Sequence, residues 1–276
     1  MIELPECLTL ARQMNESLKG LRVLEVRAGT SPHGFAFYTG SPEHYTDALQ
    51  GRMFSEARAF GGILEVGLGG LMLLFSDGAN LRLFSPGMEH PAKHQLMLSF
   101  ENGAVLLCTV QMYAGIHLCK EGTYHSVYHQ AAHEKLSPFQ DGFSLDYFQA
   151  LAAEWPKLSA KAFLATQQRF PGLGNGVLQD ILFRARVHPR TRVSMLGSAA
   201  LARLYNELRD TLKQMAEMGG RDTEKDLYGQ PGGYQTLMNR TALDRPCPGC
   251  FGVVTRESYM GGNVYYCPAC QPFTKA

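Results

Sequence analysis

With 276 residues, 45% of them hydrophobic, the chain is long enough to bury a substantial core in one large domain or two smaller ones. Its formal net charge of +1 singles out no class of partner, but the halves differ: residues 1–149 hold 10 Lys and Arg against 15 Asp and Glu, and residues 150–276 hold 16 against 10. A polyanion is therefore drawn to the C-terminal half. The longest apolar stretch, 66–75, is too short to span a bilayer, and the acidic start Met1-Ile2-Glu3-Leu4-Pro5-Glu6 lacks the regions of a secretion signal, so no membrane partner is expected.

After Pro5, Leu4, Leu8, Ala11, Met14 and Leu18 recur at helical spacing and Gly20 supplies a stop, which predicts a short amphipathic helix at the N-terminus. Strand-like runs follow at 21–26, 35–38, 63–68, 71–75, 81–84, 96–100 and 105–110, punctuated by turn residues such as Ser76-Asp77-Gly78 and Glu101-Asn102-Gly103. Many short strands joined by hairpins predict an antiparallel sandwich or barrel. From about residue 144 the period changes to helical, over 144–154, 159–167, 176–186 and 198–218, with Ser144, Ser159 and Ser198 as N-caps and Gly219 as a C-terminal stop. A Gly/Pro-rich connector, 229–234, leads to the last segment. The fold class expected is α+β, with a β-sandwich domain over 1–130, a helical domain over 131–240 and a zinc hairpin over 241–276.

Four of the seven cysteines form two Cys-x-x-Cys pairs, Cys247/Cys250 and Cys267/Cys270, separated by sixteen residues. Each pair can grip one metal from a tight turn, and four thiolates complete tetrahedral Zn²⁺ with no open position, so one structural zinc is expected rather than a catalytic one. A redox pair is the competing reading. Metal-site cysteines with no disulfide framework suit a reducing cytoplasm. His125, His129 and His133 recur every four residues, but their segment has no matching acidic pattern, and they are expected to be surface or junction residues rather than a second metal site. Cys7 is expected in the core and Trp155 in packing.

Between Lys161 and Arg192 lie six basic residues and one acid, Asp180. Within this stretch Arg169-Phe170-Pro171-Gly172-Leu173-Gly174-Asn175 joins two predicted helices. Gly172 and Gly174 let backbone amides approach an anion, and the next helix N-terminus adds its dipole, which predicts a phosphate-binding turn. A glycine-rich connector among solvated arginines is the plainer alternative.

Pro171-Gly172-Leu173-Gly174-Asn175, followed by a helix and His188-Pro189, resembles the helix–two-turn–helix motif of the formamidopyrimidine-DNA glycosylase/endonuclease VIII family. The C-terminal cysteine pairs resemble that family's zinc finger, and Glu3-Leu4-Pro5-Glu6 its N-terminal signature. Lys93-His94 resembles a Lys-His pair in the β domain, and Pro231-Gly232-Gly233-Tyr234 a mobile loop over the damage pocket. The resemblance spans the chain in order. It implies duplex DNA with damaged or abasic sites bound in a cleft between the β and helical domains, with the lesion flipped from the stack. It also implies Glu3 at the reaction centre, Asn175 on the flanking phosphates with Arg169 close by, and a monomer of the bacterial cytoplasm associated with the nucleoid.

Four departures accompany the resemblance. The family attacks the sugar with the amine of an N-terminal proline, whereas Ile2 stands there; a bulky second residue favours retention of Met1, and only its removal would expose the Ile2 amine for an imine. Phe60 occupies the place of a catalytic lysine. Gly262 replaces an arginine of the zinc hairpin, leaving Arg256 as the nearest arginine. The wedge loops become 76–80 and 111–114, where Met112 and Tyr113 can fill a gap in the stack. These changes leave two readings: a DNA glycosylase with an altered active site, in which Glu3 activates water, or a catalytically inactive module that recognises damaged DNA. For Glu3 itself, the plainer role is a carboxylate favoured by a helix N-terminus.

Overall fold

The computed structural model describes residues 1–273; residues 274–276, the end of the expected zinc hairpin segment, lie outside the described residues. Helix α1 (Leu4–Leu18) begins with Pro5 in its first turn, where a missing N–H costs nothing, and buries Cys7, Leu10, Met14 and Leu18. It then meets a seven-stranded sheet in the order β1 (Val23–Ala28), β6 (Leu96–Phe100), β7 (Val105–Lys120), β5 (Leu71–Phe84), β4 (Ile63–Leu68), β3 (Phe54–Phe60), with β2 (Ala36–Tyr38) alongside β7. All pairings are antiparallel except β2 with β7. The two edges of the sheet approach each other through an Arg22–Met53 bridge and the Phe54 N–H to Leu21 O bond, so the sheet curls around one apolar core.

Two expected breaks are absent: the loops expected at 76–80 and 111–114 lie inside β5 and β7. The runs 71–75 and 81–84 belong to one 14-residue strand, and Ser76-Asp77-Gly78 is a bulge within it rather than a turn. Asp77 has φ 57°, and a Cβ on Gly78 would stand 2.6 Å from Tyr113 O, so the turn-forming residues serve a local kink against β7. Three elements carry no apolar run long enough to announce them: β3, with Ser, Glu and Arg among its seven residues, α2 (His44–Leu49), and α3 (Val127–Glu134), which Ser126 caps by accepting from the His129 N–H.

The helical region contains α4 (Leu145–Glu154), α5 (Ala160–Ala165), α6 (Val177–Arg184) and α7 (Ser198–Glu217). Ser144 and Ser159 cap α4 and α5 as expected, but Ser198 is the first helical residue of α7 and Gly197 precedes it without a side-chain cap. Gly219, with φ 77°, ends α7. Phe143, Phe148, Phe163 and Phe170 pack with centroids 5.3–6.4 Å apart at the centre of this region, all edge-to-face except the tilted Phe148–Phe170 pair. Leu4 and Leu8 of α1 pack in this core while Cys7, Leu10, Met14 and Leu18 pack on the sheet, and Leu227 crosses the other way. The hairpin β8 (Thr255–Tyr259) and β9 (Gly262–Tyr266) forms a third cluster with Cys247 and Cys267 that leans on Phe183 of α6. Among the described residues no helix is long and apolar enough to cross a membrane.

Candidate functional site

A cleft of about 740 Å³ opens between the sheet and the helical region, with Ile2, Glu3, Asp77 and Tyr113 on one side and Gly172, Gly174 and Asn175 on the other. The β3–β4 turn meets the glycine turn backbone to backbone. Gly172 has φ 78°, and a Cβ there would land on Gly61 and Gly62, so neither a side chain nor a right-handed backbone fits. Leu4 N–H donates to Gly172 O at 2.9 Å and completes the join.

Glu3 is nearly buried, and its two carboxylate oxygens accept the N–H groups of Gly176 and Val177, each at 2.8 Å. It is thus a helix-terminal carboxylate, but of α6 rather than of its own helix, to which it gives no side-chain cap. A Cβ on Gly174 would stand 2.6 Å from Glu3 Oε1, so the glycine lets the chain's own anion reach the place where a phosphate was expected. Burial pushes the Glu3 carboxyl above its ordinary range, against the opposing pull of Arg221 and the two amides. Arg221, buried at the floor, donates to Glu6 through Nε at 2.9 Å and Nη2 at 3.0 Å and lies 3.7 Å from Glu3. Nothing in the sequence around Arg221 marks it; only the pairing of two buried acids identifies it.

The Met1 amine forms an ion pair with Glu224 at 3.0 Å, at the boundary of the cleft and a neighbouring cavity of about 410 Å³ lined by Met112 and Tyr113. The Ile2 N–H donates to Asp77 O at 2.6 Å. Met112 and Tyr113 are exposed at the rim, and burial raises the Tyr113 phenol. Phe60 does not line the cleft: its ring stacks on His133, centroids 3.8 Å apart and planes at 24°.

Other expected residues lie apart. Arg169 is buried, donates to Ala162 O, Thr166 O and Gln167 Oε1, and stacks on Trp155 at 4.4 Å, so its guanidinium holds the loop before the turn rather than facing the cleft. Lys93 is exposed beyond the cleft, while the neighbouring His94 is buried, with a ring pushed below its usual value by desolvation and its Nε2 without a partner. Asn175 Nδ2 donates to Asn263 O at 2.9 Å, which docks the hairpin on the turn, and a Cβ on Gly262 would point at the same amide from 3.5 Å. Arg256 is exposed on β8. The segment 231–234 does not cover the cleft: Tyr234 is buried and donates to Asp180 at 3.0 Å, fixing the connector to α6.

The four cysteine sulfurs lie within 4.8 Å of one another, with Cys247–Cys270 at 3.8 Å and Cys250–Cys267 at 3.4 Å. Tetrahedral Zn–S bonds of about 2.3 Å place sulfurs roughly 3.8 Å apart, so the four could hold such an ion with little movement. The Gly252 amide helps draw the exposed Cys250 thiol down to about 7.

The chain thus combines a curled sheet and a helical unit joined across a cleft, with a four-cysteine hairpin docked on the glycine turn. Residues 135–226 match the formamidopyrimidine-DNA glycosylase H2TH domain. The formamidopyrimidine-DNA glycosylase of Shouchella clausii is 26% identical over 99% of both chains, and that of Alkalilimnicola ehrlichii 29% identical over 98% of this chain and all of the other. The crystal structure of MutM (Fpg) from Thermus thermophilus superposes with a TM-score of 0.81 at 25% identity, covering 99% of this chain and all of that one. Lactococcus lactis Fpg in complex with DNA containing an abasic site shares the fold, with a TM-score of 0.84 at 20% identity over 98% of this chain and all of that one. Over its whole length the chain is thus similar to formamidopyrimidine-DNA glycosylases in sequence and in fold.

Proposed function

We propose that the protein is a base-excision repair protein that binds duplex DNA containing damaged or abasic nucleotides in the cleft and acts there as a DNA glycosylase with an altered active site. The observation that carries this reading is the convergence of Ile2, Glu3 and the Gly172–Asn175 turn on one cleft. The amide-rich turn, Lys93 and Arg256 would meet phosphates, and Met112 and Tyr113 would fill the space left by a flipped base. Asn175 would act through the turn it already braces, and Arg169 by keeping that turn in place. One structural Zn²⁺ on Cys247, Cys250, Cys267 and Cys270 would hold the hairpin that carries Arg256. The setting is the bacterial cytoplasm, at the nucleoid, with the protein as a monomer.

The chemistry is hydrolysis of the glycosidic bond: water forms the bond to C1′ and gives a proton to Glu3, the C1′–N bond breaks, and the departing base keeps its electron pair and takes up a proton. The raised affinity of the buried Glu3 for a proton supports this role. The imine route needs a free amine at the reacting sugar; with Met1 in place, the Ile2 nitrogen is an amide bonded to Asp77 and the Met1 amine is paired with Glu224. Intact mass identifies the first residue. Borohydride on abasic-site duplex is expected to trap no adduct, and base release without strand cleavage is expected to disappear in Glu3→Gln. A trapped adduct would move the chemistry to the amine.

Recognition without catalysis is the second reading. It is favoured by the occupation of both Glu3 oxygens by amides and by Phe60 packing where a lysine would act. Tight binding of lesion duplexes with no base release across a lesion panel would establish it.

A further inference from the structure

Behind the sheet wall of the cleft, residues far apart in sequence meet in a second cluster. Glu65, in the middle of β4, has a side chain only 5% exposed, and its Oε1 lies 2.7 Å from both His129 Nε2 and His133 Nε2. The histidines are four residues apart on α3 and so share a face. The carboxylate that meets them comes not from Glu134 of α3 but from a strand more than sixty residues earlier. Among the described residues, the hydrogen-bond partners of the Glu65 carboxylate are these two rings.

The rings are held in place from outside the cluster. Phe60 stacks on His133, and Tyr124 stands edge-on to His129 with centroids 5.1 Å apart. The Ser126 cap fixes the start of α3. Two neutral imidazoles can both serve one carboxylate oxygen only if both adopt the Nε2–H tautomer and crowd their protons onto it. A single divalent cation replaces both protons, neutralises the buried carboxylate and uses the same three atoms. These atoms lie within 4.8 Å of one another. Metal bonds of about 2.0–2.2 Å in tetrahedral array need ligand atoms roughly 3.3 Å apart, a small opening of the present cluster.

We propose that Glu65, His129 and His133 form a second metal site, separate from the four cysteines, for a borderline divalent cation of the Zn²⁺ class. Two imidazoles and one carboxylate suit Zn²⁺, Co²⁺ or Fe²⁺ better than the all-oxygen preference of Ca²⁺ or Mg²⁺. Three protein ligands leave a position for water, facing the hollow bordered by Tyr124, His125 and Gln130. Bound metal ties α3 to β4 and fixes Phe60 from behind. The site does not depend on how the cleft treats DNA.

The test uses the full-length protein with zinc on the cysteines and weakly held metal removed on a chelating resin, titrated with Co²⁺. The expected result is one further equivalent of cobalt, with ligand-field bands but no sulfur-to-cobalt charge transfer. Saturation at about 100 times Kd should raise the melting temperature by roughly 5 °C or more. The equivalent and the shift should vanish in Glu65→Gln and His133→Ala and persist in His125→Ala. His133 is partly exposed, so His133→Ala decides the matter if Glu65→Gln fails to fold. No added equivalent in the wild type, its persistence in the folded variants, or a charge-transfer band would each overturn the proposal.

Discussion

The two walls of the cleft are built on different principles. The helical wall is a local motif: Pro171 to Asn175 turn within a few residues, and the family model covers the helices around them. The sheet wall is an assembly of distant pieces, namely Ile2, the Gly61-Gly62 turn and the Asp77 bulge, with Phe60 turned away from the cleft onto His133. The two walls are nonetheless joined closely. Gly172 packs on the backbone of Gly61 and Gly62, and Glu3 reaches across to the α6 amides. The join uses backbone groups and the Glu3 carboxylate, so the side chains of Ile2 and Phe60 can vary without separating the two walls.

The largest effect should come from the hairpin that braces the helical wall. If the four cysteines hold the proposed zinc, Cys267→Ser or treatment with a chelator is expected to unfold the hairpin, because metal binding and folding of such a site are one free energy. Lost zinc content, with duplex affinity reduced at least as far, checks this. Retained affinity would separate the hairpin from the binding wall.

Next is the ion cluster under the sheet wall. Arg221→Ala leaves Glu3 and Glu6 buried without their cation and is expected to cost about 3–5 kcal/mol in denaturant unfolding. A cost below about 1 kcal/mol would mean that the cluster is not what joins the walls. Gly172→Ala tests the join itself. The left-handed backbone alone costs about 1–2 kcal/mol, and the collision with Gly61 adds to it, so stability and duplex affinity should fall together.

The smallest effect is one of pH. His188 is buried in the helical region, its Nδ1 accepts from the Arg190 N–H at 3.1 Å, and desolvation holds the ring below its ordinary value of 6.5. Because folding favours the neutral ring, its contribution is present above pH 6.5 and lost as the pH falls through the lowered value. His188→Gln should weaken the acid-side decline in stability. An unchanged profile would assign that decline to other groups.

Legibility followed the range of the interactions. The Ser144 and Ser159 caps, the Gly219 stop and the cysteine spacing are local, and each has the structure expected of it. Ser76-Asp77-Gly78 misled because the same turn-forming residues serve a bulge when a partner strand runs past them. β3 escaped notice because the adjacent Ser55 and Glu56 and a bulge after Phe54 break both the apolar run and the alternation that mark a strand. Arg169 and Tyr234 read as cleft residues from their motifs, but a guanidinium near Trp155 and a phenol near Asp180 gain more from burial with a partner than from solvent.

The sequence alone determined the α+β class, the helical unit with its glycine turn and the four-cysteine group, since each depends on residues a few positions apart whose geometry the backbone sets directly. Only the tertiary structure decided that Glu3 caps α6, that Arg221 lies between two buried acids, and that Glu65 completes a pair of histidines. In each case a charged or ligating group meets a partner more than sixty residues away, and the reason is one of energy. Burial makes an unpartnered charge costly, so the fold must supply the partner from wherever the chain returns.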